Sequence, residues 1–194
     1  MKLRIELETV FQILWDNINN KSVGRLFSQN GFKGINIYNQ PIFGSWEEMI
    51  ANRSLVESGN VRLLLSPESA MGMAQGYDNP KINASKFESK YGETIEQNPN
   101  GRIIHPEFPV QLPTKVKQGT FYVPNGWSVQ WMWSRLYERC QKFDVDPKEL
   151  ICYSNFGFPS HCKLSGQASI PKLPHIHFFY KKGCLPEEFF GNDS

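Results

Sequence analysis

Hydrophobic and polar residues alternate in several short segments of this chain and recur at helical spacing in others, which predicts mixed secondary structure. Leu3, Ile5 and Leu7, for example, alternate with charged residues and indicate a half-buried strand. The first third of the chain is predicted as strand 2–7, a helix beginning after Thr9, strand 34–38, a helix capped by Ser45, and strand 61–65.

The middle of the chain, residues 76–118, has a different composition. It is rich in proline and polar residues, and its apolar runs are short. Residues 102–105, which follow a turn at 98–101, are a strand candidate. We therefore expect a long functional loop or an insertion over 76–118, with irregular structure.

Regular structure is predicted again from Thr120. The strongest helix pattern covers residues 128–143, where Val129, Met132, Leu136 and Cys140 lie on one apolar stripe. The other elements predicted here are strand 120–123, a helical turn capped by Asp146, an apolar segment at 150–153, and a last strand over 174–180. The pattern predicts a single α+β domain over 1–194, with a mixed or antiparallel sheet and about three helices packed on it.

Composition and charge refine this picture only slightly. Of the 194 residues, 40% are hydrophobic and 13% aromatic, as expected for a globular protein. The 21 basic and 19 acidic side chains give a net charge of +2, which neither demands nor excludes a nucleic-acid partner. The four cysteines form no Cys-x-x-Cys pair, and no signal-peptide pattern is present, so a cytoplasmic location in the producing or host cell is predicted. No segment has the roughly 20 apolar residues of a membrane span, so no membrane partner is expected.

The candidate chemistry lies in the last predicted strand. His175 and His177, two of only four histidines, are two residues apart there. Side chains at positions i and i+2 of a strand point to the same face, so both imidazoles are expected in one site. Two neutral imidazoles are suitable ligands for a divalent metal such as zinc or manganese.

A metal centre on this strand needs further groups. His161 and Cys162 lie in the connection before the strand and are the natural donors of a third ligand, and His105 is another candidate. A bound metal would acidify a water molecule toward neutral pH and so provide a nucleophile. Lys181, at the end of the strand, is expected to stabilise phosphoryl charge. The predicted catalytic residues are His175, His177 and Lys181, and the predicted metal ligands are His175, His177, His161 and Cys162.

The segment 174–177, Pro-His-Ile-His, resembles the strand motif of the HUH endonucleases. In that family the histidine pair helps to hold a metal that polarises a phosphodiester, and a tyrosine attacks. None of the seven tyrosines here stands in a matching sequence context. The same segment, followed by Phe178, is also similar to the closing strand of lysostaphin-type zinc peptidases. Their upstream zinc motif is matched in spacing at 32–37, but Phe32 and Asn36 replace its two ligands, which argues against peptidase activity.

Three other interpretations remain open from the sequence. The histidine pair can be packed against aromatic residues and hydrogen-bonded to the backbone without any chemistry. Cys162 can be a thiol nucleophile with one of the histidines as its base. Asp78, Glu88 and Lys90 have the spacing of PD-(D/E)xK nucleases, whose chemistry requires the last two on one strand, although ordinary surface charges give the same spacing.

Trp131 suggests a different kind of function. On the predicted helix it falls roughly opposite the apolar stripe and close to Arg135. An aromatic side chain beside an arginine is typical of protein hot spots and of base-stacking surfaces, but the 76–118 segment could equally cover it. The closing pair Phe189 and Phe190 poses the same question, because it can dock on the core or remain exposed.

Two hypotheses for function follow. The first is a small metal-dependent hydrolase, a phosphodiesterase or nuclease, that uses the histidine pair. The second is a non-catalytic binding or inhibitor protein of the kind that phages, viruses and mobile elements use. It would capture a nucleic acid or a host macromolecule through Trp131 and Arg135.

Overall fold

A computed structural model describes residues 43–57, 80–107, 110, 112–154, 156 and 172–191. The predicted strands 2–7, 34–38 and 61–65 and the helix after Thr9 lie outside these residues. The chain divides into two compact units, one made of Met1–Asp78 with Glu107–Lys115 and the other of Asn79–Pro106 with Val116–Ser194. The predicted α+β class is confirmed by the second unit, whereas a single domain over all of 1–194 stays a prediction.

In the first unit the described helices are α1 (Trp46–Ala51) and α2 (Arg53–Glu57). The side chain of Ser45 accepts a hydrogen bond from the Glu48 backbone nitrogen at 3.1 Å and so begins α1, as the capping pattern predicts. The Glu48 carboxylate accepts from the Gly44 backbone nitrogen at 2.7 Å, one residue earlier than a standard capping box requires.

The second unit is built on a four-stranded antiparallel sheet with the strand order β1-β2-β4-β3. The strands are β1 (Arg102–Ile104), β2 (Val116–Tyr122), β3 (Ile151–Tyr153) and β4 (His175–Lys181). The predicted strand at 102–105 and the predicted histidine strand at 174–180 are therefore confirmed to within a residue. Because β4 lies between β2 and β3, both of its edges are hydrogen-bonded within the sheet.

One face of the sheet packs against α4 (Val129–Lys142) and α5 (Glu187–Phe190). The side chain of Ser128 caps α4 by accepting from the Trp131 backbone nitrogen at 3.2 Å. The apolar stripe predicted for residues 128–143 is the buried side of α4. Met132, Leu136 and Cys140 from that helix join a core that includes the following sheet and tail residues: Ile103, Phe121, Ile176, Phe178 and Phe189.

The opposite face of the sheet packs against α3 (Pro80–Glu96). This helix corrects the prediction that residues 76–118 are irregular throughout. Its apolar residues are few, but Ala84, Phe87, Tyr91 and Ile95 recur at spacings of three and four and form a narrow stripe. They pack on Ile104, Tyr122 and Leu173, so tertiary contacts stabilise a helix that its polar composition obscures.

None of the helices in the described part of the chain combines the length and the hydropathy of a bilayer-spanning segment.

Candidate functional site

Strand β4 brings the two imidazoles together on the sheet face that carries α3. The ring centroids of His175 and His177 are 4.9 Å apart, and their planes are nearly perpendicular, at 86°. The antiparallel register places Tyr122 of β2 opposite His175. Thr120 of β2 and Tyr153 of β3 lie opposite His177 on either side.

The buried polar side chains of the described residues are concentrated around this pair. They are Gln118, Thr120, Ser154 and His175. The Ser154 hydroxyl donates to the His175 backbone carbonyl at 2.6 Å and accepts from the Phe156 backbone nitrogen at 3.1 Å. Buried polar groups destabilise a fold unless they are hydrogen-bonded, so their concentration around β4 and its two neighbouring strands indicates a built site rather than ordinary core.

His175 is held in one tautomer. Its Nδ1 lies 2.7 Å from the Leu173 backbone carbonyl oxygen. A carbonyl can only accept, so Nδ1 carries the proton and the lone pair of the neutral ring is on Nε2. Burial lowers the pKa of His175 to about 4, against a smaller opposing effect of the Leu173 hydrogen bond. The ring is therefore neutral at physiological pH.

His177 is also neutral but has different partners. Its Nδ1 lies 3.3 Å from Gln118 Nε2 and 3.3 Å from Thr120 Oγ1. The Tyr153 ring stacks on the imidazole with a centroid distance of 4.9 Å and an interplanar angle of 24°. Desolvation, followed by the proximity of His175, lowers the pKa of His177 well below its ordinary value.

Tyr122 packs beside His175, and Arg102 lies in register with Tyr122 on the next strand. The Tyr122 ring centroid is 5.1 Å from that of His175, and burial raises the pKa of its hydroxyl far above the ordinary value, so it stays a neutral phenol. Arg102 of β1 lies opposite Tyr122, so Arg102, Tyr122 and His175 form a row across three adjacent strands. The Arg102 guanidinium lies 5.9 Å from the Tyr91 ring centroid on α3.

Other predicted site residues do not join this cluster. Lys181 shares the face, but it is four residues beyond His177, about 13 Å along the strand. His105 lies on the opposite side of the sheet, where its Nε2 is 3.2 Å from the Tyr180 hydroxyl and its ring is 5.1 Å from that of Phe190. His161 and Cys162 lie outside the described residues. Within the described residues, no group of three or more His, Cys, Asp or Glu side chains is placed to hold a metal.

The nuclease spacing of Glu88 and Lys90 is not realised, because both residues lie on α3 rather than on a strand. Residues two apart on a helix project to different sides, so the two side chains do not face one site. Glu88 instead makes a long ion pair with Lys172, at 3.9 Å.

No protein-family model, curated protein or solved structure matches this chain.

The spacing of the histidine pair fits a shared metal ion. Two imidazoles bound to one zinc at the usual Zn–N distance of about 2.1 Å have ring centroids about 5 Å apart. The separation here is 4.9 Å. Both rings are hydrogen-bonded through Nδ1. A ligating histidine is commonly anchored through its second nitrogen in this way.

The second predicted surface, around Trp131, is formed by one end of α4. The Trp131 side chain is 48% exposed, and its ring packs on that of Trp127 with a centroid distance of 5.5 Å. The Arg135 guanidinium lies 4.6 Å from the Trp131 ring and 5.5 Å from the Trp127 ring. Arg135 also pairs with Glu138 at 2.6 Å, so its charge is largely compensated within the helix.

The site residues that were not predicted from the sequence are Gln118, Thr120, Tyr122 and Tyr153. The first three stand at alternate positions of one strand, and a polar or amphipathic residue at every second position is a pattern that could have marked a polar face. Their proximity to the histidines could not be derived in this way, because it depends on the pairing of β2 with β4.

Proposed function

We propose that this protein is a small metal-dependent hydrolase in which His175 and His177 hold a divalent transition metal. The observation that carries the proposal is the arrangement of the two rings. Both are neutral, both are anchored through Nδ1, and their centroids are 4.9 Å apart. Imidazole ligands favour zinc and related late transition metals over magnesium or calcium, whereas manganese, the other metal proposed, more often has oxygen ligands.

The metal would supply Lewis acidity, which polarises a phosphoryl oxygen and acidifies a water molecule. The protein would supply binding and orientation. His161 and Cys162 remain the proposed additional ligands from the connection before β4. Two protein ligands are fewer than the three of most catalytic zinc sites, so the proposal requires a contribution of this kind.

We propose a phosphodiester, in a nucleic acid or a related molecule, as the substrate. The support is the row formed by Arg102, Tyr122 and His175. Arg102 and His175 are two strands apart, about 10 Å between their backbones, which is within the combined reach of an arginine side chain and a bound phosphate. Arg102 is therefore closer to the histidine pair than Lys181 and is the better candidate for stabilising phosphoryl charge.

The first experiment is a measurement of metal content on protein purified without a histidine tag. We expect near-stoichiometric zinc or manganese in the parent and none in the His175→Ala/His177→Ala double variant. His105→Ala is a matched control, because it removes an exposed histidine from the other face of the sheet and should leave the metal in place. Thermal unfolding of all three proteins establishes that they are folded.

Hydrolysis of bis(p-nitrophenyl) phosphate and of a labelled single-stranded oligonucleotide then tests the substrate class. Activity that requires the added metal and is lost in the double variant supports the proposal. A parent that remains metal-free after incubation with zinc and with manganese would contradict it and remove the basis for an enzyme on this strand.

A second candidate function is supported by the exposure of Trp131. In this proposal the surface of Trp127, Trp131 and Arg135 binds a nucleic acid or a host protein without chemistry, since Trp and Arg are the residues that most often dominate such interfaces. Quenching of tryptophan fluorescence by single-stranded oligonucleotides is the test. Trp131→Ala should abolish the quenching, whereas Tyr137→Ala, which alters an equally exposed aromatic residue of the same helix, should preserve it.

A further inference from the structure

The two histidines are anchored by groups of different chemistry. The Nδ1 of His175 faces a backbone carbonyl, the oxygen of Leu173, at 2.7 Å. The Nδ1 of His177 faces two side chains, Gln118 Nε2 and Thr120 Oγ1, each at 3.3 Å. The difference matters because the anchoring group decides which nitrogen of a neutral imidazole carries the proton.

A backbone carbonyl accepts hydrogen bonds but cannot donate one, so it allows only the tautomer with the proton on Nδ1. A glutamine amide has a donor end and an acceptor end, and a threonine hydroxyl can act as either. Gln118 and Thr120 can therefore satisfy Nδ1 of His177 whether or not that nitrogen carries a proton.

We infer that Gln118 and Thr120 are positioning residues that let His177 change tautomer when a metal binds. The Leu173 carbonyl, in contrast, keeps His175 in the tautomer with the proton on Nδ1 and the lone pair on Nε2, which can bind a metal without rearrangement. This inference rests on the proposed function. Without metal, the Gln118 amide donates to Nδ1 of His177 and the ring proton is on Nε2. With a metal bound at Nε2, the ring proton would be on Nδ1 instead and would donate a hydrogen bond to the Thr120 hydroxyl. The number of protons and the charge of the ring do not change.

The burial of both side chains argues for such a role. Gln118 and Thr120 are 7% and 2% exposed, and they lie in register with Phe179 and His177 on the central strand. Burial of a glutamine side chain costs polar solvation and more rotamer entropy than burial of an apolar residue such as leucine. A residue there that only filled space would more often be leucine or valine.

The test uses protein labelled with ¹⁵N in its histidines, because long-range ¹H–¹⁵N spectra distinguish the two tautomers directly. In the metal-free parent we expect the proton of His175 on Nδ1 and that of His177 on Nε2. Addition of zinc should move the His177 proton to Nδ1 and leave that of His175 in place. In metal-free Gln118→Met, His177 should lose its preference and show a mixture of tautomers.

Zinc affinity supplies the second measurement. The double variant Gln118→Met/Thr120→Val removes both adaptable partners and should bind zinc about 10–100-fold more weakly than the parent. Gln118→Met/Thr120→Ser restores the hydroxyl at position 120 and should recover zinc affinity, because the hydroxyl can again accept a hydrogen bond from Nδ1 of His177. Recovery by serine separates a role of the hydroxyl from a general loss of packing.

The outcomes distinguish this inference from the proposed function. A His177 proton already on Nδ1 before zinc is added, or a double variant with the affinity of the parent, would overturn the inference while leaving a metal site intact. Failure of the parent to bind zinc would overturn the proposed function and the metal-driven exchange together. The metal-free spectra of the parent and of Gln118→Met would still decide whether Gln118 sets the tautomer of His177.

Discussion

At the scale of single residues, the described histidines show how strongly the surroundings determine the behaviour of an imidazole. His105 is exposed and contacts Tyr180 and Phe190, and its pKa is lowered by partial burial and by the charge of Lys117. His175 is 1% exposed and has a single backbone partner. The sequence alone gives these residues the same chemistry, whereas the fold separates a surface imidazole from a buried neutral one.

Burial of His175 predicts a loss of stability in mild acid. Its pKa is about 4 in the folded protein and 6.5 in an unfolded chain. Between these values the unfolded state binds a proton that the folded state does not, so the free energy of unfolding decreases as the pH falls from 6.5 to about 4. The decrease due to this residue is about 3 kcal/mol, and above pH 6.5 its full stabilisation is retained.

Urea denaturation over this pH range, compared between the parent and His175→Asn, isolates the effect. The asparagine amide can take the place of Nδ1 and donate to the Leu173 carbonyl, but it does not titrate. All other titrating groups are common to both proteins, and the one that the substitution also affects is His177, whose pKa His175 lowers by a smaller effect than burial does. Equal pH dependence of the two proteins would show that His175 is not the buried neutral group described above.

At the scale of secondary structure, the elements confirmed from sequence are those whose pattern is strong and local. Ser128 and the apolar stripe of α4 define that helix without reference to the rest of the chain. Helix α3 was missed because its stripe of Ala84, Phe87, Tyr91 and Ile95 is narrow and interrupted by Gly92, and the sheet face that covers it is distant in sequence. Pairing of strands in the order β1-β2-β4-β3 is equally non-local.

Two glycines in different elements should respond oppositely to the same substitution. In β2, a Cβ at Gly119 would approach the Phe178 ring to 2.3 Å, because that ring lies across the glycine. We expect Gly119→Ala to destabilise the protein by about 1–3 kcal/mol through overpacking. In α3, a Cβ at Gly92 meets nothing within 4 Å, so Gly92→Ala should stabilise by about 0.5–1 kcal/mol through helix propensity.

Chemical denaturation of the two variants tests this pair of predictions. A stable Gly119→Ala variant would mean that the Phe178 ring is not packed across β2. A destabilised Gly92→Ala variant would contradict the helical assignment of residues within Pro80–Glu96.

At the scale of the whole molecule, the carboxyl-terminal segment completes the core of the second unit. Phe189 is fully buried, and its ring makes edge contacts with those of Phe143 and Phe178 at centroid distances of 6.2 and 6.1 Å. Arg139 of α4 donates to the Phe189 backbone carbonyl and so holds the tail against that helix. Phe189 is therefore a core residue and not an exposed aromatic anchor.

The adjacent phenylalanines provide a matched test of this docking. Phe189→Ala should reduce the free energy of unfolding by about 3–5 kcal/mol, because it removes a fully buried aromatic side chain. Phe190→Ala should cost less, since Phe190 is only partly buried against His105 and Tyr180. Thermal denaturation of both variants measures the difference. Equal decreases in the free energy of unfolding would indicate that Phe189 contributes no more to the packing of the tail than Phe190 does.

The sequence by itself determined the α+β class, helix α4 with its apolar stripe, the small helical turn after Asp146, and the fact that His175 and His177 share one face of a strand. These features depend on the period of the pattern and on hydrogen bonds between residues close in the chain. Only the tertiary structure decided that Gln118, Thr120, Tyr122 and Tyr153 surround the pair, that Lys181 and His105 do not, and that α3 covers this face. Those outcomes depend on strand register and on packing between distant segments, and neither leaves a local pattern from which it can be predicted.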